Sequence, residues 1–116
     1  MCHVLVIEDE PLIAMLISDV ALDAGASTID VADCPVGAME AADQHRPAVI
    51  LSDVAIIDGT GPQAVIAIRE KHGPIPVIFI TATPDACEPC DYATAILPKP
   101  MNVDRLTSAF RAVAPA

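Results

Sequence analysis

The sequence predicts one α/β domain, in which helices cover both faces of a doubly wound, five-stranded parallel sheet. Short runs that are apolar throughout alternate with helical stretches along the chain. Strands of this kind are typical of parallel sheets that are buried on both faces. The length of 116 residues suits a single domain, which we expect to span residues 1–116 with no output domain after it. The expected architecture is a three-layer sandwich that binds ligands at the carboxyl ends of its strands.

The first half of the chain alternates strand, helix, strand, helix and strand over residues 4–7, 11–25, 27–31, 35–44 and 48–52. The first and last of these strands are apolar throughout, whereas 27–31 alternates in polarity and predicts a weaker strand. In the first helix, Pro11 suits the first turn and Gly25 suits the C-terminal stop. The second helix is rich in Ala and ends before Pro47.

The second half of the chain contains a turn, a helix, two strands and a helix over residues 58–61, 62–72, 76–80, 93–97 and 103–113. The glycines of 58–61 predict the turn, and Gly73-Pro74 stops the helix that follows it. Residues 81–99 are harder to assign, because Pro89 would break the interior of a helix. We therefore expect the fourth helix of the fold, between the last two strands, to be short or distorted.

Charge and hydropathy exclude several classes of partner. The formal net charge is −10, from 6 basic and 16 acidic residues. Direct binding of nucleic acid needs a basic footprint, and an anionic membrane is disfavoured for the same reason, so partners with a basic rim are expected. The apolar runs are far shorter than the roughly 20 residues of a membrane helix, and no signal peptide is recognisable. A cytoplasmic protein is the default expectation.

The cysteines and histidines predict no site of their own. Cysteines in a cytosolic chain are more often free thiols than a disulfide framework. Cys87 and Cys90 have the spacing of a metal or redox pair, but a structural zinc site needs four ligands and incidental thiols are favoured. The histidines, at positions 3, 45 and 72, lie at element edges without partner spacing, which favours structural or surface roles.

Carboxylates follow two of the predicted strands. Glu8 and Asp9 end the first apolar run, and Asp53 ends the run that begins at Pro47. If these strands are neighbours in a parallel sheet, three carboxylates converge on one rim and repel one another. A divalent cation is the usual reason to tolerate such crowding, and oxygen ligands suit Mg²⁺. The sequence therefore predicts a Mg²⁺ site that offers Asp53 as a nucleophile.

With two further motifs, the chain resembles the receiver domain of bacterial two-component response regulators over essentially its whole length. The motifs are Glu8-Asp9 after strand one, Asp53 after strand three, Thr81-Ala82 after strand four and Lys99-Pro100 after strand five. Each motif is weak alone, but the ordered set is strong. The resemblance implies the flavodoxin-like receiver fold and a place in phosphorelay signalling.

The resemblance also implies a phosphoacceptor with a bound metal ion. Asp53 would take a phosphoryl group from a histidine of a kinase or a histidine phosphotransfer protein. Asp9, Asp53 and the backbone carbonyl of Ala55 would bind Mg²⁺ directly, and Glu8 would act through a coordinated water. The domain would then promote its own phosphorylation and hydrolysis, as a signalling module rather than an enzyme.

Two further residues acquire roles from the resemblance. Thr81 would hydrogen-bond a phosphoryl oxygen and report phosphorylation. Lys99 would pair with Asp53 before phosphorylation and with the phosphoryl group afterwards, and the Lys99–Pro100 bond is expected to be cis. These roles agree with the chemistry of phosphoryl transfer, in which a protein mainly positions groups and neutralises charge.

Three departures from the family pattern concern how phosphorylation is read out. Ile57 replaces a common proline four residues after the acceptor, and Ile96 replaces the usual aromatic switch residue. The segment between Thr81 and Lys99 is also shorter than in typical members. Phosphotransfer should survive, with an altered readout. Because Ala55 offers no polar group to orient water, we expect a long-lived phosphoryl-aspartate.

We expect partners to bind through protein contacts. The apolar residues of the first helix, Leu12, Met15, Leu16 and Leu22, are mostly core by default, but part of this side could dock a kinase helix. A downstream effector protein would receive the signal.

Other functions stay open. A pseudo-receiver would bind partners without phosphorylation. An aspartyl-phosphate hydrolase of the haloacid dehalogenase kind usually needs a second acid where Ala55 stands. An FMN binder would need a phosphate-cradling loop after strand one, where Glu8-Asp9-Glu10 would repel the phosphate.

Overall fold

The computed structural model describes residues 2–84 and 90–115, and its secondary structure follows the predicted alternation. In chain order the elements are β1 (His3–Ile7), α1 (Pro11–Asp23), β2 (Thr28–Ala32), α2 (Pro35–Gln44), β3 (Val49–Ser52), β4 (Ala55–Ile56), β5 (Gly59–Thr60), α3 (Gly61–His72), β6 (Val77–Thr81), β7 (Ala95–Pro98) and α4 (Val103–Val113). Each predicted strand and helix bound outside the segment 81–92 lies within two residues of the observed one.

Five strands form one parallel sheet in the order β2-β1-β3-β6-β7. The chain leaves β1 for β2 on one side and then crosses to β3 on the other. Such a reversal opens a crevice outside the carboxyl ends of the two central strands, here β1 and β3. This topology confirms the predicted doubly wound, flavodoxin-like fold.

Two apolar clusters fill the spaces between the sheet and the helices, which confirms the three layers. Alternate strand residues point to opposite faces, so Val4 and Val6 join one cluster while Leu5 and Ile7 join the other. Helices α1 and α4 cover the first face with Ala14, Ile17, Val20, Ala21, Leu106 and Phe110. Helices α2 and α3 cover the second with Ala38, Ala42, Ala64, Val65 and Ile68.

A short hairpin replaces the turn that was predicted at 58–61. Strands β4 and β5 pair antiparallel, which leaves Ile57 and Asp58 as the two turn residues. Asp58 has a φ of 59°, in the left-handed region that Asp tolerates better than most residues. The predicted position of the turn is therefore wrong, because Gly59–Thr60 form β5 and Gly61 begins α3.

The expected short or distorted fourth helix falls on a segment in which residues 85–89 lie outside the described residues. The described parts of the chain contain four helices, α1 to α4. None of the helices in those parts is both long enough and apolar enough to cross a membrane.

Candidate functional site

The carboxyl ends of four parallel strands meet at a cavity of about 430 Å³. These strands are β1, β3, β6 and β7, and each is the strand after which the sequence predicts a functional residue. The lining residues are Asp9, Glu10, Ile13, Asp53, Ala55, Thr81, Ala82, Thr83 and Lys99. The cavity lies at the crevice between β1 and β3, where the strand order reverses.

Glu8, Asp9 and Asp53 come together at this rim, and we call these three carboxylates the acidic rim. Each offers an oxygen atom, and these atoms lie within 4.8 Å of one another. The side chain of Glu8 is fully buried and that of Asp53 is 12% exposed. Burial raises the pKa of Glu8; the hydrogen bond from Lys99 opposes this shift, and the nearby charge of Asp53 adds to it. Three oxygen donors at this separation suit Mg²⁺.

Lys99 bridges two of the three carboxylates. Its Nζ donates to Glu8 Oε1 and to Asp53 Oδ2, each at 2.9 Å. Burial alone would lower the pKa of Lys99, but its hydrogen bonds to Asp53 and Glu8 outweigh burial and raise that pKa. One ammonium against three carboxylates leaves the rim with a formal charge of −2. A divalent cation would balance that charge.

The backbone on either side of Lys99 is fixed as well. Its N–H donates to the carbonyl of Thr81 at 2.8 Å, which ties the end of β7 to the end of β6. The Lys99–Pro100 peptide bond is cis, which confirms that prediction. The ammonium is thus held over the carboxyl ends of the central strands.

Asp53 is held by three hydrogen bonds to its own strand and its neighbour. Its N–H donates to the carbonyl of Ile7 at 2.8 Å, which continues the β1–β3 ladder. Its Oδ1 accepts from the N–H of Val54 at 2.7 Å, and its carbonyl accepts from Ser52 Oγ at 2.7 Å. One carboxylate oxygen therefore faces the backbone and the other faces Lys99.

Gly61 is a functional position that the sequence analysis treated only as a turn residue. A Cβ at this position would collide with the backbone carbonyl of Asp53 and with Ser52 Oγ. Thr60 caps α3 by accepting from the N–H of Gln63 at 3.2 Å, so the helix begins directly against the end of β3. A glycine between a capping Thr and a proline is the sequence signal for such a close approach.

Thr81 lies at the end of β6 and is 2% exposed. Its Oγ1 accepts from the N–H of Thr83 at 3.1 Å and lies 3.5 Å from Thr83 Oγ1. Both threonines line the cavity that contains Asp53 and Lys99. Ala55 lines it from the start of β4 and offers only backbone polar atoms.

An apolar surface adjoins the acidic rim. Leu12, Met15, Leu16 and Leu22 of α1 are between 45% and 71% exposed, which corrects the expectation that they are mostly core. A groove of about 490 Å³ runs beside them, lined by Ile13, Leu16, Lys99, Pro100 and Met101. The groove shares Lys99 and Ile13 with the site, so an occupant of the groove would lie next to Asp53.

The region around Ile96 contains an aromatic side chain that the sequence analysis did not single out. Ile96 is half-buried against the core. Tyr92 packs edge-on against Phe79 with ring centroids 6.1 Å apart, and the Arg69 guanidinium lies 5.1 Å from the centre of its ring. The Tyr92 hydroxyl is buried and has no hydrogen-bond partner among the described residues. Burial raises the pKa of Tyr92.

The cysteines divide into two groups. Cys2 and Cys34 are free, as expected, and Cys2 is buried in the core. Cys90 is disulfide-bonded, so the expectation of a free thiol is wrong for this residue. Cys87 lies outside the described residues.

The histidines have partners that no sequence spacing indicated, in keeping with the structural or surface roles expected of them. His72 Nε2 lies 2.8 Å from Asp43 Oδ1, and His3 Nε2 lies 3.0 Å from Asp30 Oδ2. The rings of His3 and His45 stack with centroids 3.6 Å apart and planes inclined by 7°. No sequence spacing indicates these pairs, because folding brings together residues more than 25 positions apart.

Comparison with known proteins agrees with this geometry. Residues 4–111 match the family model described as "Response regulator receiver domain". Over 84 residues the chain is 39% identical to the phyllosphere-induced regulator PhyR of Methylorubrum extorquens, covering 72% of this chain and 32% of that protein. The chain thus spans about a third of the length of that curated relative.

Two solved structures extend the comparison. The solution NMR structure of the receiver domain of Erythrobacter litoralis PhyR is similar, with 32% identity, a TM-score of 0.84 and coverage of 97% of this chain and 88% of that one. A crystal structure of a mutant of the anti-anti-sigma factor PhyR from Bartonella quintana is also similar. Its values are 33% identity, a TM-score of 0.81 and coverage of 95% of this chain and 48% of that one.

Proposed function

Because the chain belongs to the response regulator receiver domain family, we propose that Asp53 accepts a phosphoryl group from a phosphohistidine of a kinase or a histidine phosphotransfer protein. The observation that carries the proposal is the bridge that Lys99 makes between Asp53 and Glu8 inside the cavity. A lysine held against an acidic cluster supplies the fixed cation that phosphoryl transfer requires.

The transfer joins a carboxylate oxygen of Asp53 to phosphorus. As that bond forms, the bond from phosphorus to the donor's imidazole nitrogen breaks and the electron pair stays on the imidazole. Lys99 moves its hydrogen bond from the carboxylate to a phosphoryl oxygen. Thr81 lines the same cavity and offers a hydroxyl to a second oxygen. The product is a mixed anhydride that water later hydrolyses.

Mg²⁺ would be held at the acidic rim by Asp9, Asp53 and the backbone carbonyl of Ala55, with Glu8 acting through a bound water. Bound there, it supplies positive charge for the phosphoryl oxygens. The residues fit such an ion, because their donor atoms are all oxygen and the three carboxylates with Lys99 have a formal charge of −2. The hydrogen bond from Lys99 Nζ to Glu8 Oε1 supports an indirect role, because this carboxylate already has a cationic partner.

The apolar face of α1 and the adjoining groove support a docking site for the phosphodonor. An amphipathic helix laid in this groove would bury Leu12 and Leu16 and would bring its histidine next to Lys99. The net charge of −10 favours a partner with a basic rim around its apolar stripe. Docking of the partner and phosphoryl transfer to Asp53 would then occur at the same edge of the sheet. Both would take place in the cytoplasm.

We further propose that the output is a protein contact. The Bartonella quintana relative is described as an anti-anti-sigma factor. A receiver of this group would signal to a regulator of a sigma factor rather than to DNA, which agrees with the strong negative charge of this chain. With Ile96 in place of an aromatic switch, the surface that changes on phosphorylation would include the packing around Tyr92.

The alternatives are less well supported. A hydrolase would need a second acid near the acceptor, and Ala55 has no polar side chain. A pseudo-receiver would have no use for a half-buried lysine bridging two carboxylates. These partly buried ion pairs of Lys99 cost desolvation free energy and are weak evidence of a purely structural role.

The decisive experiment is incubation with Mg²⁺ and acetyl phosphate, followed by mass spectrometry of the intact chain. We expect one phosphoryl adduct in the wild type and none in Asp53→Asn. Asp43→Asn is the matched control, because Asp43 is an exposed carboxylate far from the cavity. An adduct in Asp53→Asn would reassign the acceptor. A folded wild-type chain that takes no adduct would establish the pseudo-receiver.

A further inference from the structure

A second group of metal-ligating side chains lies at the opposite end of β1 from the acidic rim. His3 begins β1, Asp30 lies on β2, and His45 follows the last residue of α2. In the β1–β2 register His3 pairs with Thr28 and Leu5 pairs with Asp30. Side chains two residues apart share a face, so the side chains of His3 and Asp30 point to the side of the sheet that α2 covers. We call His3, Asp30 and His45 the histidine rim.

Two backbone hydrogen bonds fix the chain at His3 and His45. The carbonyl of His3 accepts from the N–H of Ala48 at 2.7 Å, and the N–H of His45 donates to the carbonyl of Ala41 at 3.0 Å. His3 is only 7% exposed, whereas the side chain of Asp30 is 43% exposed and His45 is exposed. One ligand is therefore buried and rigid, and the other two are accessible from solvent. An ion could enter without unfolding any element.

The atoms are close enough to share one ion once the exposed ring of His45, which stacks 3.6 Å from that of His3, turns so that a nitrogen lone pair points at the ion. One nitrogen from each imidazole and one oxygen of Asp30 lie within 4.8 Å of one another. Two imidazoles and a carboxylate form a donor set that suits Zn²⁺ and similar transition ions and does not suit Mg²⁺. Three protein ligands leave a fourth position for water. Cys2 does not contribute, because it packs in the core cluster on the other face of the sheet.

The hydroxyl of Thr28 can partner His3 both without and with a bound metal ion, because a hydroxyl can donate or accept a hydrogen bond. His3 Nδ1 lies 2.7 Å from Thr28 Oγ1, and His3 Nε2 lies 3.0 Å from Asp30 Oδ2. In the tautomer that carries the proton on Nε2, Nε2–H donates to the carboxylate and the Thr28 hydroxyl donates to Nδ1. With metal on Nε2, the imidazole proton lies on Nδ1 and is donated to the same hydroxyl, which now accepts. Metal-binding histidines almost always have a fixed hydrogen-bond partner of this kind on the second ring nitrogen.

We propose that His3, Asp30 and His45 bind a divalent transition-metal ion, with Zn²⁺ as its representative, at the amino end of β1. The ion joins β1, β2 and the end of α2, and it binds independently of Asp53 and of phosphorylation. Binding displaces the proton on His3 Nε2 to Nδ1 and requires His45 to be neutral. Bound metal stabilises the fold by mass action.

The chain contains its own control for this proposal. His72 and Asp43 form a second histidine–carboxylate pair, with His72 Nε2 and Asp43 Oδ1 2.8 Å apart. The third group there is the ammonium of Lys71, 2.8 Å from Asp43 Oδ2, where the histidine rim has a second imidazole. A cation in that position repels a metal ion. The pair at Asp43 should therefore bind none.

The test is a calorimetric titration of the full chain with Zn²⁺ in a large excess of Mg²⁺, which occupies the acidic rim. We expect His45→Gln and Asp30→Asn to bind one equivalent of Zn²⁺ less than the wild type, with circular dichroism unchanged. His72→Gln should bind as the wild type does. Thr28→Val should keep the site with an affinity about 10–100-fold lower, the usual effect of losing such a partner.

Two spectra separate this site from other zinc ligands. Nitrogen NMR of His3 should show Nε2 change from protonated to metal-bound as one equivalent is added. Co²⁺ in place of Zn²⁺ should give a visible spectrum without a thiolate charge-transfer band. Equal zinc binding in the wild type, His45→Gln and Asp30→Asn would overturn the proposal. So would a thiolate band, or a wild-type chain that binds no zinc under these conditions.

Discussion

Titratable side chains crowd together at both ends of β1, but they are stabilised differently at the two ends. At the carboxyl end, one lysine bridges two of three carboxylates, and the group keeps a formal charge of −2. At the amino end, two imidazoles and one carboxylate satisfy one another by stacking and hydrogen bonding. The difference teaches that the acidic rim carries unbalanced negative charge, whereas the side chains of the histidine rim already pair with one another, so that an ion there would be an addition.

Gly61→Ala should break the acidic rim through its backbone. A Cβ there collides with the carbonyl of Asp53, so we expect a loss of about 3 kcal/mol in the free energy of unfolding, at the upper end of overpacking costs. Urea denaturation measures it. Gly37→Ala is the control, because its Cβ would meet no backbone atom and would contact only the side chains of Cys34 (Sγ at 3.3 Å) and Ala32 (Cβ at 3.8 Å). Equal losses in the two variants would contradict the close approach.

Lys99→Gln should show what the one cation of the acidic rim contributes. The rate of phosphorylation by acetyl phosphate should fall about 100-fold, as when a directed electrostatic donor is removed. Mass spectrometry of timed samples gives the rate. Lys71→Gln removes an exposed lysine that pairs with Asp43 and should leave the rate unchanged. A Lys99→Gln rate within a factor of two or so of the wild type would remove Lys99 from the chemistry.

A substitution in one rim should change the affinity for that rim's metal ion and leave the other affinity unchanged. Asp9→Asn should weaken Mg²⁺ binding by about tenfold or more, equivalent to about 1.4 kcal/mol, and leave the Zn²⁺ titration unaltered. His45→Gln should do the reverse. Calorimetry of both variants with both ions gives the four affinities. A variant that weakens both ions together would show that one site, not two, binds them.

The phosphoryl lifetime tests Ala55, a cavity position two residues after the acceptor that lacks a polar side chain. The wild-type adduct should be long-lived, and Ala55→Gln should hydrolyse about tenfold faster, because an amide at this position can orient water. Decay is followed by mass spectrometry after removal of the phosphodonor. Ile57→Gln adds the same amide two residues further on, outside the cavity, and should decay like the wild type. Wild-type decay within seconds would refute the expectation.

The smallest effect concerns the exposed pair that resembles the histidine rim. Hydrogen bonds from Lys71 and then His72 lower the pKa of Asp43 below its ordinary value. Its contribution to stability is therefore present above the unfolded pKa of about 3.9 and is lost as pH falls through the lower folded value. Asp43→Asn should be slightly less stable at neutral pH and equal in strong acid, as measured by urea denaturation. A difference that persists in strong acid would assign it to packing.

The sequence predicts most of what is local in this structure. Apolar runs predict five strands because a parallel sheet buries both faces, and the residues directly after those runs supply Asp9, Asp53 and Lys99. What it does not predict depends on register or close approach. The bond between Lys99 and Glu8 joins residues 91 positions apart. The steric requirement at Gly61 depends on where the carbonyl of Asp53 lies after folding.

The histidines show the same limit. His3 and His45 stack only because β1 starts beside the end of α2, and Asp30 reaches them only in one of the possible β1–β2 registers. A shift of one residue would turn Asp30 to the other face. The family pattern expects an aromatic residue at position 96, where this chain has Ile96. Nothing in that pattern indicates that Tyr92, four residues earlier, packs against Phe79. Sequence patterns report which residues are buried more readily than which distant residues meet.

Strand β1 also keeps the charges at its two ends apart. Its five residues are fully buried between β2 and β3 and span about 17 Å at about 3.3 Å per residue. That span is about twice the Debye length of roughly 8 Å at physiological salt. Two divalent ions so separated repel by only about 1 kcal/mol at the dielectric constant of water, before screening reduces it further. A change in ionic strength should therefore alter the ion affinity of each rim independently of the other.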